Sequence, residues 1–153
     1  MNAKSLLLCA TLCAGLTTLP ACSLMTAPPA AVTAASVPLL GTHWRLTMLG
    51  NEVVDNPAGE RDAHLTLQPT NNAVTGDSGC NRMFGRYALE NDMLKLDGLG
   101  GTKMFCEGRM QLEQRFTNAL MATLRWKIAG RTLELLDESG KAVATFEAAP
   151  ATG

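Results

Sequence analysis

The sequence predicts a mainly β protein with one α-helix, its short strands rolled into a small antiparallel barrel or sandwich. Short runs that alternate apolar and polar residues recur from Thr42 to Phe146, separated by turn residues about every eight to twelve positions. One run breaks that rhythm. Leu112, Phe116, Leu120 and Leu124 recur at every fourth residue, the spacing of a helix face. The length of 153 residues suits one domain with a real core.

In chain order, Thr42–Met48 alternates, with Trp44, Leu46 and Met48 on one face and His43, Arg45 and Thr47 on the other. This predicts a half-buried strand anchored by a core tryptophan. Leu49–Asp62 reads as a long loop with a short strand at Glu52–Val54, because Gly50, Asn51, Asn56, Pro57 and Gly59 interrupt it. Ala63, Leu65 and Leu67 mark the next strand, closed by Pro69–Asn72, and Ala73–Thr75 returns. A glycine-rich turn is expected from Gly76. Met83–Leu89 and Met93–Leu96 then form a hairpin about Asn91-Asp92. Gly98, Gly100 and Gly101 are expected to loosen the chain before Thr102–Cys106. The helix is expected over 107–124, with Arg109 and Glu113 spaced as a surface pair. Three strands follow, carrying Trp126 and Ile128, then Leu133 and Leu135, then Val143–Phe146, with turns at Gly130-Arg131 and Glu138-Ser139-Gly140.

The chain divides into residues 1–21, 22–39, 40–147 and 148–153. Lys4, the apolar Leu6–Leu16 and Leu19-Pro20-Ala21-Cys22 read as an export signal. Its apolar segment is short of the roughly 20 residues that span a bilayer. The Leu-Pro-Ala-Cys sequence resembles a bacterial lipobox, which implies lipidation of Cys22 and a membrane anchor. Pro20 stands where a small residue is commoner. Ser23 follows where an inner-membrane retention Asp would stand, which points to the outer membrane. The competing reading is a plain secretory signal cut after Ala21 or near Ala30–Ala35. Residues 22–39, rich in Ala, Pro, Thr and Ser, read as a flexible tether. Residues 148–153 read as a frayed tail. The chain has 13 basic against 14 acidic residues, and 12 against 14 once Lys4 leaves with the leader. With no basic run, nucleic acid is not an expected partner.

The most unusual stretch is Gly76-Asp77-Ser78-Gly79-Cys80-Asn81-Arg82-Met83-Phe84-Gly85-Arg86-Tyr87. Its three glycines mark positive φ or close backbone approach, and Asn81 suits a left-handed turn position. Cys80 and Cys106 are the two cysteines outside the first 22 residues. In an exported chain they most simply form a disulfide, the alternative being two reduced thiols buried side by side. The combination Gly76-x-x-Gly79-Cys80-Asn81-x-x-x-Gly85-x-Tyr87, Thr102-x-Met104-x-Cys106 and Glu113-x-x-Phe116 resembles the META domain, the HslJ-like heat-shock lipoprotein family, over Leu40–Phe146. The resemblance implies an antiparallel β-barrel-like fold with one helix. It also implies an envelope location and a part in envelope integrity or tolerance of stress and hydrophobic antibiotics.

Catalysis and metal binding are weakly written. Ser78, His64 and Asp77 make a conceivable hydrolase set, but Gly-x-Ser-x-Gly is absent. Cys80 lacks a Cys-x-x-Cys partner for redox work. Cys80, Cys106, His43 and His64 include metal-ligand types without zinc-site spacing. Both histidines fall on the polar phase of their strands, so the expectation is solvated rings, no metal and no cofactor. Arg82 and Arg86 are either solvated surface or a cationic patch for an anionic partner such as lipopolysaccharide. Met83, Met93, Met104, Met110 and Met121 either fill the core or line an adaptable pocket. The resulting expectation is a monomeric, non-catalytic lipoprotein that binds an envelope protein or a lipid-like ligand. A pilotin-like chaperone or periplasmic inhibitor module is the first alternative, and a hydrolase using Ser78 and His64 the second.

Overall fold

The structure is a computed structural model that describes residues 35–57 and 61–149. The leader, the Cys22 anchor, most of the tether and the last four residues lie outside the described residues. Among the described residues, nine strands and one helix follow in order: β1 Trp44–Leu49, β2 Glu52–Val53, β3 Ala63–Leu67, β4 Ala73–Ser78, β5 Arg82–Glu90, β6 Met93–Gly101, α1 Met110–Met121, β7 Arg125–Ala129, β8 Thr132–Leu136 and β9 Ala142–Ala148. All strand pairings are antiparallel and run β1-β3-β4-β5-β6-β7-β8-β9. β9 then pairs back onto β1, so the sheet closes into a ring, and β2 extends the same edge of β1 that β3 uses.

Closure of about eight strands leaves an interior that side chains can fill. Trp44, Leu46, Leu65, Leu67, Leu94, Leu133, Leu135 and Phe146 point inward and are fully buried. The Trp44 indole donates to the Leu39 carbonyl at 2.9 Å, which satisfies its one polar atom. α1 bridges the ring where β6 and β7 share a single bridge, Met93 to Arg125. It contacts β6, β9, β4 and β1. Its Phe116 and Leu120 are buried against the sheet residues, with the Phe116 and Phe146 ring centroids 5.9 Å apart.

Several local expectations need correction. A register shift between Leu46 and Met48 in the β1–β9 ladder reverses the alternation, so Leu49 enters the core in place of Met48. The turn does not begin at Gly76: β4 continues through Ser78, and the turn is confined to Gly79–Asn81 before β5. Gly98, Gly100 and Gly101 lie within β6, which pairs with β5 out to Met83 opposite Gly101. The helix begins at Met110 because Gly108 holds φ +74°, outside the helical region. At the ends, Val37 donates its N–H to Gly130, Leu39 is buried, and Ala148 closes β9 as a buried residue. Of the five methionines expected to fill the core or line a pocket, Met83 is buried while Met93, Met104, Met110 and Met121 are exposed. Neither core filling nor a shared pocket describes those four.

Candidate functional site

The residues singled out around Gly76–Tyr87 converge where β4 turns into β5 beneath the start of α1. β4 and β5 place Ser78 and Arg82 on either side of a three-residue turn. Gly79 supplies a φ of +88° at its apex, which a Cβ would disfavour. The Asp77 carboxylate accepts the Gly79 N–H at 2.8 Å and lies 3.5 Å from the Arg61 guanidinium. Gly76 sits mid-strand, where a Cβ would overlap the His64 carbonyl oxygen across the ladder. Its role is close approach rather than turning.

Cys80 and Cys106 are joined by a disulfide with Cα atoms 5.9 Å apart, inside the usual span of such a bond. The bond pins the segment before α1 to the β4–β5 turn. Asn81, beside it, is 2 % exposed and fully engaged. Its Oδ1 accepts from the Met104 N–H and the Thr102 hydroxyl, both at 2.7 Å. Its Nδ2 donates to Glu113 Oε2 at 2.7 Å and to the Met104 carbonyl at 3.0 Å. Ser78 Oγ donates to the same Glu113 oxygen at 3.1 Å and accepts the Asn81 N–H at 3.0 Å.

One amide therefore holds together the turn, the segment after β6 and the helix. Asn81 is not in the left-handed region expected for it: the described non-glycine residues with positive φ are Asn72 and Asn91. Glu113, expected as a surface partner of Arg109, turns its carboxylate in to Ser78 and Asn81. Met104 acts through its backbone, and its thioether side chain is exposed. Tyr87 and Gly85 stand apart from this cluster. The Tyr87 hydroxyl donates to the Gln68 carbonyl at 2.8 Å. Gly85 lies where the β5–β6 register shifts.

Ser78 and His64 do not form a hydrolytic pair. The ladder sets Ser78 opposite Ala63 and His64 opposite Asp77, so alternation puts Ser78 and His64 on opposite faces of the sheet. His64 instead meets His43, their rings stacked with centroids 4.1 Å apart. Asp62 lies beside both, with Oδ2 3.2 Å from His43 Nε2. Burial works to raise the Asp62 pKa, but the hydrogen bond to His43 and the charges of His64 and His43 outweigh it and hold it below the ordinary carboxylate range. Sequence reading missed this cluster, because His43 precedes β1, Asp62 precedes β3 and His64 lies in β3, and only strand register brings them together.

Arg82, Phe84 and Arg86 share the outer face of β5. Arg82 stands in register opposite Asp77 and Arg86 opposite Asp97, so the expected cationic patch has carboxylates beside it. Phe84 is 58 % exposed and Phe105, next to Cys106, is 81 % exposed. A hollow of about 250 Å³ lies beside the Asn81 cluster, lined by Ser78, Asn81, Met83, Thr102, Glu113 and Thr117 among others.

An NMR structure of a protein from Burkholderia xenovorans is 28% identical and superposes with a TM-score of 0.59, covering 80% of this chain and 99% of that one. A second protein solved by NMR, 20% identical, gives the same TM-score over 75% of this chain and 95% of its own, which speaks to the fold. No curated protein matches the chain. The META domain matches residues 37–150, which include the Asn81 cluster and its disulfide. By that match over most of its length, the chain belongs to the META domain family.

Proposed function

We propose that this protein is a non-catalytic lipoprotein of the bacterial envelope, anchored through Cys22, probing or holding a protein partner in support of envelope integrity or stress and antibiotic tolerance. META domains are generally non-catalytic and envelope-associated, which supports the class. No helix among the described residues is long and apolar enough to cross a membrane.

The observation that carries the choice of a protein over a lipid-like ligand is a filled ring with aromatic side chains left outside. The ring interior is occupied by fully buried Trp44, Phe116 and Phe146. The hollow at the Asn81 cluster, about 250 Å³ and of mixed polar and apolar lining, falls below the roughly 300–1,000 Å³ of usual small-molecule sites, and larger hollows such as that of about 500 Å³ beside Leu39 and Trp126 lie open to solvent. Phe105 and Phe84 meanwhile expose aromatic surface, and aromatic side chains are enriched at protein interfaces.

The test is mild crosslinking of the full lipidated protein in its own envelope, followed by purification, with Phe105→Ser and Phe84→Ser variants alongside. A specific crosslinked protein is expected with the native chain and is expected to fall at least severalfold in the variants. A Cys22→Ala control that takes up no fatty acid separates anchoring from capture. Unchanged capture by both phenylalanine variants would exclude this surface, and retention of lipid alone would favour the ligand reading.

A further inference from the structure

We infer that His43, Asp62 and His64 form a surface site for a divalent transition-metal ion of the zinc and copper(II) class. This inference is independent of the proposed partner surface. β1 and β3 pair with Trp44 opposite Leu65 and Arg45 opposite His64. That register sets His43 diagonally from His64 on the outer face, within side-chain reach. Asp62, just before β3, completes the group. One ring nitrogen from each histidine and one Asp62 oxygen all lie within 4.8 Å of one another.

The chemistry of this donor set is selective. Two imidazoles and one carboxylate suit zinc, copper(II) or nickel, whereas calcium and magnesium prefer all-oxygen shells. Tetrahedral zinc at about 2.0–2.2 Å from its ligands sets ligand atoms roughly 3.3 Å apart. Asp62 Oδ2 is already 3.2 Å from His43 Nε2. Loading the site requires the two imidazoles, now stacked with centroids 4.1 Å apart, to turn until their lone pairs converge on one ion. His64 Nδ1 also lies 3.0 Å from the Asp62 carbonyl oxygen. In the tautomer that donates there, Nε2 keeps the lone pair a metal needs, and such a contact fixes the orientation of a ligating ring.

The surroundings are balanced in charge. On the same face Asp77 stands in register opposite His64 and Arg82 and lies 3.5 Å from the Arg61 guanidinium, and Glu147 stands opposite Arg45. Asp62 is therefore the carboxylate left to meet a cation. The three side chains are 42 %, 35 % and 24 % exposed for His43, Asp62 and His64, sheltered enough to be positioned and open enough for exchange. Three protein ligands leave a fourth position for water or for a donor from another molecule.

The experiment uses the full chain without an affinity tag and with the thiols of Cys9, Cys13 and Cys22 blocked, because thiolates would compete for the ion. Zinc chloride is titrated calorimetrically, and the imidazole signals of His43 and His64 are followed by NMR. One equivalent should bind with a Kd at or below about 100 µM, moving both histidine signals together. Asp62→Asn and His64→Gln should each weaken binding about tenfold or more, and magnesium should not displace zinc. No saturable binding by that concentration would overturn the site, as would binding that survives His43→Gln combined with His64→Gln. In the unmutated chain, zinc should protect both rings from diethyl pyrocarbonate. Unprotected rings at saturating zinc would overturn the site without reliance on any variant.

Discussion

Asn81 and Asp137 each gather several hydrogen bonds onto one short polar side chain, yet they do different structural work. Asp137 Oδ1 accepts from the Ser139 N–H at 2.9 Å, the Ser139 hydroxyl at 2.7 Å and the Lys141 N–H at 3.0 Å. All three donors lie within four residues, in the solvent-exposed β8–β9 hairpin. Asn81 bonds to Thr102, Met104 and Glu113, which are 21, 23 and 32 residues away, and it is buried. Equal hydrogen-bond chemistry thus closes a local turn in one case and sets tertiary structure in the other. Water can substitute for the partners of Asp137, whereas the Asn81 amide is itself buried although Thr102 and Met104 beside it are exposed. An unmade bond therefore costs more at Asn81.

The largest effect is expected from Asn81→Asp. The replacement keeps the shape and the acceptor for Thr102 and Met104, but it puts an oxygen where Nδ2 now lies, 2.7 Å from Glu113 Oε2 and 3.0 Å from the Met104 carbonyl. A buried pairing becomes a buried repulsion, with an expected destabilisation of about 3–5 kcal/mol at neutral pH. Thermal unfolding should show a fall of roughly 10 °C or more. A midpoint within about 2 °C of the native chain would mean that solvent reaches this amide, and the contrast with Asp137 would collapse.

Next comes the disulfide that brackets the same cluster. Cys80 and Cys106 are 26 residues apart. Replacing both with Ser frees a loop whose closure is worth about 3–4 kcal/mol in the chain-entropy model. Denaturant unfolding measures it directly. A loss below about 1 kcal/mol would show that the hydrogen bonds of Asn81 hold the segment against the turn without covalent help. Combining Cys106→Ser and Cys80→Ser with Asn81→Ala should then give less than the sum, since both act on the same segment.

What could be read in advance follows the same division between local and distant. Trp44, Leu65, Leu133 and Phe146 announce inward faces through alternation that their own strands carry. The β8–β9 turn is written in Glu138-Ser139-Gly140, with Gly140 at φ +81°. Cys80 and Cys106 could be paired because exported cysteines outside the leader are few. The Leu46–Met48 bulge left no mark, because it depends on how β9 registers against β1. Gly76 reads as a turn residue until its neighbour across the ladder, His64, is known. The Asn81 cluster was visible only as a list of family positions, without the bonds that unite them. His43 and His64 could be named only as ligand types without zinc-site spacing, and Asp62 had no signal at all, since neither spacing nor periodicity encodes which strands become neighbours.

The smallest effect should come from Asp137, and its pH dependence identifies its origin. The hydrogen bonds from the Ser139 side chain and the Lys141 backbone hold its carboxyl below the ordinary value of 3.8. Because the folded-state pKa is depressed, its contribution to stability is fully present above the unfolded value. That contribution is lost as pH falls through the lower folded value. The native chain should therefore exceed Asp137→Ala in thermal midpoint at pH 6 by a margin near the resolution of a scan, and added salt should reduce it because the group is exposed. The margin should shrink once the pH is taken well below about 3.8. A difference that persists unchanged in acid would assign the effect to the shape of the turn rather than to the ionised carboxylate.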